Sequence, residues 1–362
     1  DAGENRSDLC TVDQSGQQIS DAVISLENGD YVVRRNGQVI DAGVASNAQV
    51  VSASGDIALN AKSAKNNNGG IFAQKGALVL NIDEAFENNG MLNASGKLSI
   101  NTRAFKNKGI VFTDSQLINA NSFENAGGLY AQNKIDVTSD SLINSGKMSS
   151  TGSDIQLNVN GETARNSGNI SAKNVTINQK NQANKSAAFI NEGRIDSEEK
   201  LHINSDSVSN SGTLIAGTAV ELALTKELKN TGSAAEIIAE QDLLIYSNLT
   251  DNALSVFNES GWVQGNNLHL SDIDTYSNTA GATLIANESI EFSNINNIFN
   301  DDSLIKADSV LLSHIQNLSN TQNSIIEGTN NLVISDVNKL INDKSTLQSD
   351  GDMSISNIDE MN

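Results

Sequence analysis

The chain of 362 residues contains 27 glycines, a single cysteine and no proline, and its formal net charge is −21. A negative field of this size repels nucleic acid, and no apolar run approaches the roughly 20 residues of a membrane-spanning helix, so we expect neither nucleic-acid binding nor membrane insertion. Leu, Ile and Val are regularly spaced along the chain, which argues against disorder.

The first segment, residues 1–46, is polar at its start and then contains hairpin signals. Its opening DAGENRSDLC lacks the regions of a signal peptide, which indicates an internal fragment or a processed chain. Cys10 has no partner for an intrachain disulfide and is not a metal site alone. The sequences ENGD and RNGQ lie between apolar runs, a pattern typical of β-hairpins. We interpret 1–46 as a partly antiparallel cap or as degenerate first turns.

A phrase of the form Asn-x-Gly-x-apolar-x-small recurs through residues 47–239. It occurs as NNGGIFA from Asn67, NAGGLYA from Asn125 and NSGTLIA from Asn210. Most intervals span 18 to 22 residues, and a constant period of this length is typical of solenoids. Diverged copies continue to the end of the chain. The expected anchors are Asn47, Asn67, Asn88, Asn107, Asn125, Asn144, Asn166, Asn191, Asn210, Asn230, Asn258, Asn278, Asn300, Asn320 and Asn342.

Three short apolar segments recur within each unit. In one unit they are Leu129 after the anchor, the pair Ile135 and Val137, and Leu142 before the next anchor. Their alternation has a period of two, which predicts strands, and one turn alone cannot bury them. The sequence therefore predicts an all-β, right-handed parallel β-helix of about 15 turns, each with roughly 20 residues and three strands.

The anchors are predicted to be structural turn positions. Asn tolerates left-handed backbone angles, Gly adopts them freely, and stacked Asn side chains bond each other or the backbone. The absence of proline fits, since strand interiors need every backbone N–H. The clearest turn positions are Asn88, Asn107, Asn125, Asn144, Asn166, Asn191 and Asn210.

The repeat diverges in residues 240–362, which we predict to be a candidate recognition region. A long unit holds the insert YSNLTDNALSVFN, and another, earlier in the chain, holds NQKNQANKS. Protruding loops and their aromatic residues are candidate contact sites, although these aromatics also fit simple packing on the coil. The outward middle position of the second predicted strand in each unit also changes from polar to apolar. The candidate partner-binding residues are Tyr246, Phe257, Trp262, Leu244, Leu311 and Val333.

Catalytic signals are sparse. His202 and Glu221 share an outward column on adjacent turns, and His269 and Glu291 repeat that relation, but cross-strand polar pairs of this kind ordinarily stabilise a sheet. His314 stands alone. We expect no catalytic residue, no metal site and no cofactor, although a polysaccharide-degrading β-helix enzyme remains an alternative.

Units such as NNGMLNASGKLSINTRAFK from Asn88 and NSGTLIAGTAVELALTKELK from Asn210 resemble the haemagglutinin repeats of filamentous haemagglutinin and CdiA-type proteins. These are exoproteins of two-partner secretion in Gram-negative bacteria. The resemblance covers about residues 47–260 well and the remainder loosely. It implies a β-helical filament that is secreted through an outer-membrane partner and displayed on the cell surface. The NPNL, NPNGI and VENN motifs of the family are absent, so the chain is expected to be neither its export signal nor its toxin.

The resemblance gives two functional expectations. One is a non-catalytic filament segment that recognises an outer-membrane protein receptor on a neighbouring bacterium during contact-dependent growth inhibition. The other is an adhesin of the same architecture that binds host cells or their glycans. The near absence of cysteine suits export, since stray disulfides in the periplasm would obstruct passage.

Overall fold

The chain forms a parallel β-solenoid with about 14 turns, which confirms the predicted fold class. The right-handed sense of the coil stays a prediction. This computed structural model describes residues 23–27, 30–35, 38–44, 50–67, 69–179, 187–249 and 253–362, with side chains from residue 51 onward. Within those ranges there is no helix, and hence none that could cross a membrane.

The chain divides into two compact units, Asp1–Lys173 and Asn174–Asn362. The first unit contains β1 (Val23–Glu27), β2 (Asp30–Arg35), β3 (Gln38–Val44), β4 (Val50–Ala53), β5 (Ile57–Asn66), β6 (Gly70–Ala73), β7 (Leu78–Asn88), β8 (Met91–Asn107), β9 (Ile110–Asn125), β10 (Gly128–Ala131), β11 (Ile135–Asn144), β12 (Lys147–Ser150), β13 (Asp154–Val159), β14 (Thr163–Asn166) and the start of β15 (Asn169–Gln179). The second contains β16 (Ala188–Asn191), β17 (Arg194–Asn210), β18 (Thr213–Ala216), β19 (Ala219–Thr231), β20 (Glu236–Ala239), β21 (Asp242–Ser247), β22 (Leu254–Glu259), β23 (Trp262–Thr279), β24 (Thr283–Asp301), β25 (Leu304–Thr321), β26 (Ile325–Asp343), β27 (Thr346–Gln348) and β28 (Asp352–Met361). The sequence boundary between 239 and 240 reflects divergence of the repeat, and it stays a prediction.

Each turn has three strand segments, named here the first, second and third strands in chain order. Equivalent residues pair in parallel on successive turns, so that Leu129 lies between Val111 and Met148. In the second unit Leu312 lies between Phe292 and Ile334 in the same way. These side chains are fully buried, and the core of each unit is a set of apolar stacks.

The asparagine at the end of each third strand forms a buried ladder. Asn107 donates its Nδ2 to Oδ1 of Asn125 at 2.8 Å and also to the carbonyl oxygen of Gly109 at 3.2 Å, so both amide hydrogens are satisfied. Links of 2.7 to 2.8 Å join Asn66, Asn88, Asn107, Asn125, Asn144 and Asn166 in the first unit. Links of 2.8 to 2.9 Å join Asn191, Asn210, Asn230, Asn258, Asn278, Asn300, Asn320 and Asn342 in the second.

The predicted bonding of stacked asparagine side chains to each other and to the backbone is confirmed. The predicted left-handed backbone angles are wrong for the ladder asparagines and, among the described residues, are found only at Gly232 and Gly281 of the glycines that follow them. The ladder asparagines belong to strands, and none of them has a positive φ among the described residues. The glycine that follows is instead needed for close stacking, because a Cβ at Gly109 would lie 1.9 Å from the carbonyl oxygen of Gly90. A Cβ at Gly127 would lie 2.1 Å from the carbonyl oxygen of Gly109. Glycine therefore lets successive corners approach each other.

The corner that follows the ladder asparagine has a different backbone conformation where the repeat diverges. After Asn278 and Asn300 the chain turns through left-handed residues that are not glycine, Ala280 with a φ of 58° and Asp302 with a φ of 49°. Side chains at such angles are sterically disfavoured and fix a different corner geometry. The loss of the anchor glycine in the distal repeats thus accompanies a different way of turning the chain.

Two sequence predictions near the start of the solenoid have different outcomes. The anchor predicted at Asn67 is wrong by one residue, because Asn66 is the buried ladder member and Asn67 is exposed. The hairpins predicted from ENGD and RNGQ are present as antiparallel pairs that begin at Glu27 with Asp30 and at Arg35 with Gln38. Cys10 and Asn47 lie outside the described residues, and the role of 1–46 as a cap stays a prediction.

We expect Asn125→Ala to lower the free energy of unfolding by about 3 kcal/mol. The change removes the acceptor of one Nδ2 hydrogen of Asn107, whose other hydrogen still bonds to Gly109, and removes the donor to Oδ1 of Asn144. Each buried unsatisfied group costs roughly 1–3 kcal/mol. Asn119→Ala is the matched control, since Asn119 donates to Asn101 in an exposed asparagine row and its loss should cost less than about 1 kcal/mol. Urea unfolding of both variants measures the difference, and equal losses would contradict a special role for the buried ladder.

Candidate functional site

Trp262 begins the first strand of its turn, in the second unit, and 40% of its surface is exposed. It pairs with Glu236 on the preceding turn and with Thr283 on the following turn. Its Nε1 donates to Oε1 of Gln264, two residues further along the same face, at 3.0 Å. This hydrogen bond holds an indole ring at the surface of the coil, where it remains open to solvent.

Apolar side chains accompany Trp262 along the outward side of the first strands. On neighbouring turns they occupy either the column of Trp262 or the column of Gln264, and all of them are half-buried. With Trp262 they form what we call the first-strand apolar face: Ile215, Ile238, Trp262, Ile285, Leu304 and Ile325. Six successive turns of the second unit therefore contribute apolar side chains to this outward face, on which Glu236, Gln264, Thr283, Lys306 and Glu327 lie among them.

The three aromatic candidates lie on three different strands of the second unit. Tyr246 is on the second strand, Phe257 on the third, and Trp262 begins the first strand of the next turn. Tyr246 and Phe257 are half-buried. No ring contact or hydrogen bond of the described chain joins any two of them. They do not form a single aromatic cluster.

The apolar candidates on the second strands are not contiguous. One outward column runs in register through His202, Glu221, Leu244, His269, Glu291, Leu311 and Val333. Leu244 is separated from Leu311 by His269 and Glu291, and only Leu311 and Val333 are neighbours. The row beside them is serine, from Ser271 to Ser356. This face is mainly polar.

Glu221 is the centre of an ion and hydrogen-bond cluster on the same face. The Tyr246 hydroxyl donates to Oε1 of Glu221 at 2.7 Å, and the Lys200 ammonium pairs with Oε2. Nδ1 of His202 is buried 3.2 Å from Oε2, but the contact lacks the geometry of a hydrogen bond. Tyr246 is thus bound to the body of the coil through a carboxylate.

The electrostatics of this cluster oppose acid–base chemistry. Burial raises the pKa of Glu221, but the hydrogen bonds from Lys200 and Tyr246 and the nearby charges outweigh it and lower the value to about 2. Burial and the bond to Glu221 raise the pKa of Tyr246 to about 12. At neutral pH the carboxyl group has no proton to donate and the phenol keeps its proton, so the pair is arranged for stability.

His269 and Glu291 form a looser pair. Nδ1 of His269 lies 3.2 Å from Oε2 of Glu291, and both side chains are well exposed. In their column Leu244 lies on one side and Leu311 on the other, so no further ionisable residue of that column adjoins the pair. The described residues contain no group of three side chains that could hold a metal ion.

An open groove of about 400 Å³ follows the corner between the second and third strands of the distal turns. Its lining includes Asn294, His314, Asp336 and Asn357, each with a positive φ. Asn294 donates to Asp272 at 2.6 Å and Asn357 to Asp336 at 2.9 Å, so the row largely bonds to itself. His314, which the sequence leaves isolated, lies within this polar corner row.

The two inserts are only partly described. Residues 180–186 of the first and 250–252 of the second lie outside the described residues.

Sequence reasoning missed the first-strand apolar face, although a signal for it was present. Consecutive apolar residues such as Leu214-Ile215 and Ile237-Ile238 must point to opposite sides of a strand, which places Ile215 and Ile238 outside.

No protein-family model, no curated protein and no solved structure matches this chain.

Acid should destabilise the second unit through Glu221. A carboxyl group with a lowered folded-state pKa stabilises the fold above its unfolded value, near 4.5, and this stabilisation is lost as pH falls towards 2. We expect Glu221→Gln to unfold at a lower temperature at pH 7 and to lose less stability than the parent between pH 4.5 and 2. Tyr246→Phe should show a smaller effect of the same kind. Thermal melts across this range are the measurement, and parallel curves for parent and Glu221→Gln would refute the assignment.

Proposed function

We propose that this chain is a non-catalytic segment of the surface filament of a secreted CdiA-type exoprotein. In this proposal a Gram-negative cell exports the full-length protein through an outer-membrane secretion partner. The second unit then recognises an outer-membrane protein receptor on a neighbouring bacterium in contact-dependent growth inhibition. The haemagglutinin-like repeats around Asn88 and Asn210 support this class.

The uniform interior supports a scaffolding role. In each unit the described turns between Asn66 and Asn342 each contribute one asparagine to the ladder and apolar side chains to the stacks. Such repetition produces extension and stiffness, which a filament needs. The ionised Glu221 is bound by the Tyr246 hydroxyl and the Lys200 ammonium, which favours a structural role for the carboxylate over a polysaccharide-degrading one.

The observation that carries the recognition role is the exposed Trp262 within the first-strand apolar face. Contiguous apolar surface that remains in contact with water commonly marks a binding site, and tryptophan is the side chain most enriched among residues that dominate binding energy. Polar side chains adjoin Trp262 directly: Glu236 is its neighbour in register, and Gln264 accepts the hydrogen bond from its Nε1. Protein interfaces combine apolar contacts with direct hydrogen bonds, which this mixture can supply.

Trp262→Ala should weaken binding of the purified protein to susceptible bacteria by about 30-fold, since removal of a central aromatic anchor typically costs about 2 kcal/mol or more. Fluorescently labelled protein titrated onto intact cells measures the affinity. Phe299→Ala is the matched control, because Phe299 is 42% exposed but lies on a third strand.

Two outcomes would refute this role. One is equal binding of bacteria by the parent, Trp262→Ala and Phe299→Ala proteins. The other is binding to epithelial cells with no binding to bacteria, which would favour a host-directed adhesin.

A further inference from the structure

Two corners of the first unit contain a pair of glycines, and an aromatic ring packs over the second glycine of each pair. In NNGGIFA the Phe72 ring extends back over Gly70, where a Cβ would lie 2.1 Å from the ring. In NAGGLYA the Tyr130 ring covers Gly128, where a Cβ would lie 2.4 Å from the ring. Both glycines are buried beneath these side chains. The missing Cβ therefore lets each ring lie close to the sheet on its outward side.

These rings belong to a row of apolar side chains on the first strands of the first unit. Phe112 pairs in register with Tyr130, and Ile110 pairs with Met91 on the preceding turn. Phe112 is 42% exposed and Ile110 is 50% exposed. We call this set the aromatic row: Phe72, Met91, Ile110, Phe112 and Tyr130. It extends over four successive turns, and the described turns rise by about 4.8 Å each.

Polar groups border the row and remain available. The Asn93 amide lies between Phe72 and Phe112, and Ser149 follows Tyr130 in the same column. Neither of these side chains, nor the Tyr130 hydroxyl, makes a hydrogen bond within the described part of the chain. The Lys147 ammonium lies 5.7 Å from the centroid of the Tyr130 ring, within the range of a cation–π contact.

We infer that the aromatic row binds a neutral chain of pyranose sugars. A pyranose ring has a face of weakly positive C–H groups, which packs on the electron-rich face of an aromatic ring, and a rim of hydroxyls that need hydrogen-bond partners. The row supplies both features side by side. Its rise per turn is comparable to the length of one pyranose along an extended chain, so successive sugars can meet successive turns.

Charge and shape favour this ligand over others. The net charge of −21 opposes the approach of a polyanion and the lateral pairing of two copies. Lys147 beside Tyr130 disfavours a cationic ligand. The row runs in register along the outward side of four turns, which suits an extended ligand. The inference concerns the first unit alone and does not rest on the proposed role of Trp262.

Isothermal titration of the full chain with cellohexaose, chitohexaose and maltohexaose tests this inference. We expect at least one to bind, and the double variant Phe112→Ala/Tyr130→Ala to bind at least tenfold more weakly. Gly128→Ala retains both rings but displaces that of Tyr130, so it should also weaken binding. Phe299→Ala should bind as the parent does, and thermal melts confirm that all variants fold.

Absence of binding to all three oligosaccharides would overturn the inference. So would equal affinity of the parent and the double variant, or an equal loss in Phe299→Ala. If the double variant loses binding to whole cells while the parent binds none of the oligosaccharides, the row is a protein-binding surface and the sugar assignment is wrong.

Discussion

The buried asparagine ladder is the constraint on which the rest of each unit depends. An interior amide needs partners for two hydrogens and an oxygen, and a single asparagine per turn obtains them only if the next turn returns to the same position. Asn107 and Asn125 are 18 residues apart and Asn230 and Asn258 are 28 apart, yet both bonds measure 2.8 Å. The additional residues must therefore be accommodated outside the ladder, as loops between strands.

This constraint aligns every outward side chain into columns. Equivalent outward residues on successive turns form a column along the unit. The residues in that column decide whether the face is polar or apolar. In the second unit the first strands carry isoleucines and Trp262, whereas the second strands carry serines and ion pairs. In the first unit the equivalent first strands carry Phe112 and Tyr130 instead. The two units thus present different outward faces although the interior of each is built on the same pattern.

The sequence predicted the interior well because burial follows a period that a single chain displays. Leu129, Val137 and Leu142 are all fully buried as expected. The error at Asn67 arose because three asparagines follow one another, so that the phrase alone does not show which one enters the ladder. The stacking role of Gly109 depends on a carbonyl group 19 residues earlier in the chain, which no local pattern reveals.

The candidate surfaces were harder to predict for a related reason. Aromatic residues near an insert, such as Tyr246 and Phe257, can be identified in the sequence, but their direction depends on which strand they join. Tyr246 bonds to Glu221, which lies 25 residues earlier. The aromatic row was missed because the Asn-x-Gly phrase does not single out Gly70 and Gly128, each of which makes room for the ring two residues later.

The central claim is that the ladder amides are buried and bonded in solution, and hydrogen exchange of asparagine side-chain amides, followed by ¹H–¹⁵N NMR, tests it most directly. We expect the side-chain amides of the ladder, such as those of Asn107 and Asn278, to exchange their hydrogens as slowly as core backbone amides. The exposed asparagines of the parallel row from Asn60 to Asn119 should exchange rapidly. Equal and rapid exchange of both sets would contradict the claim.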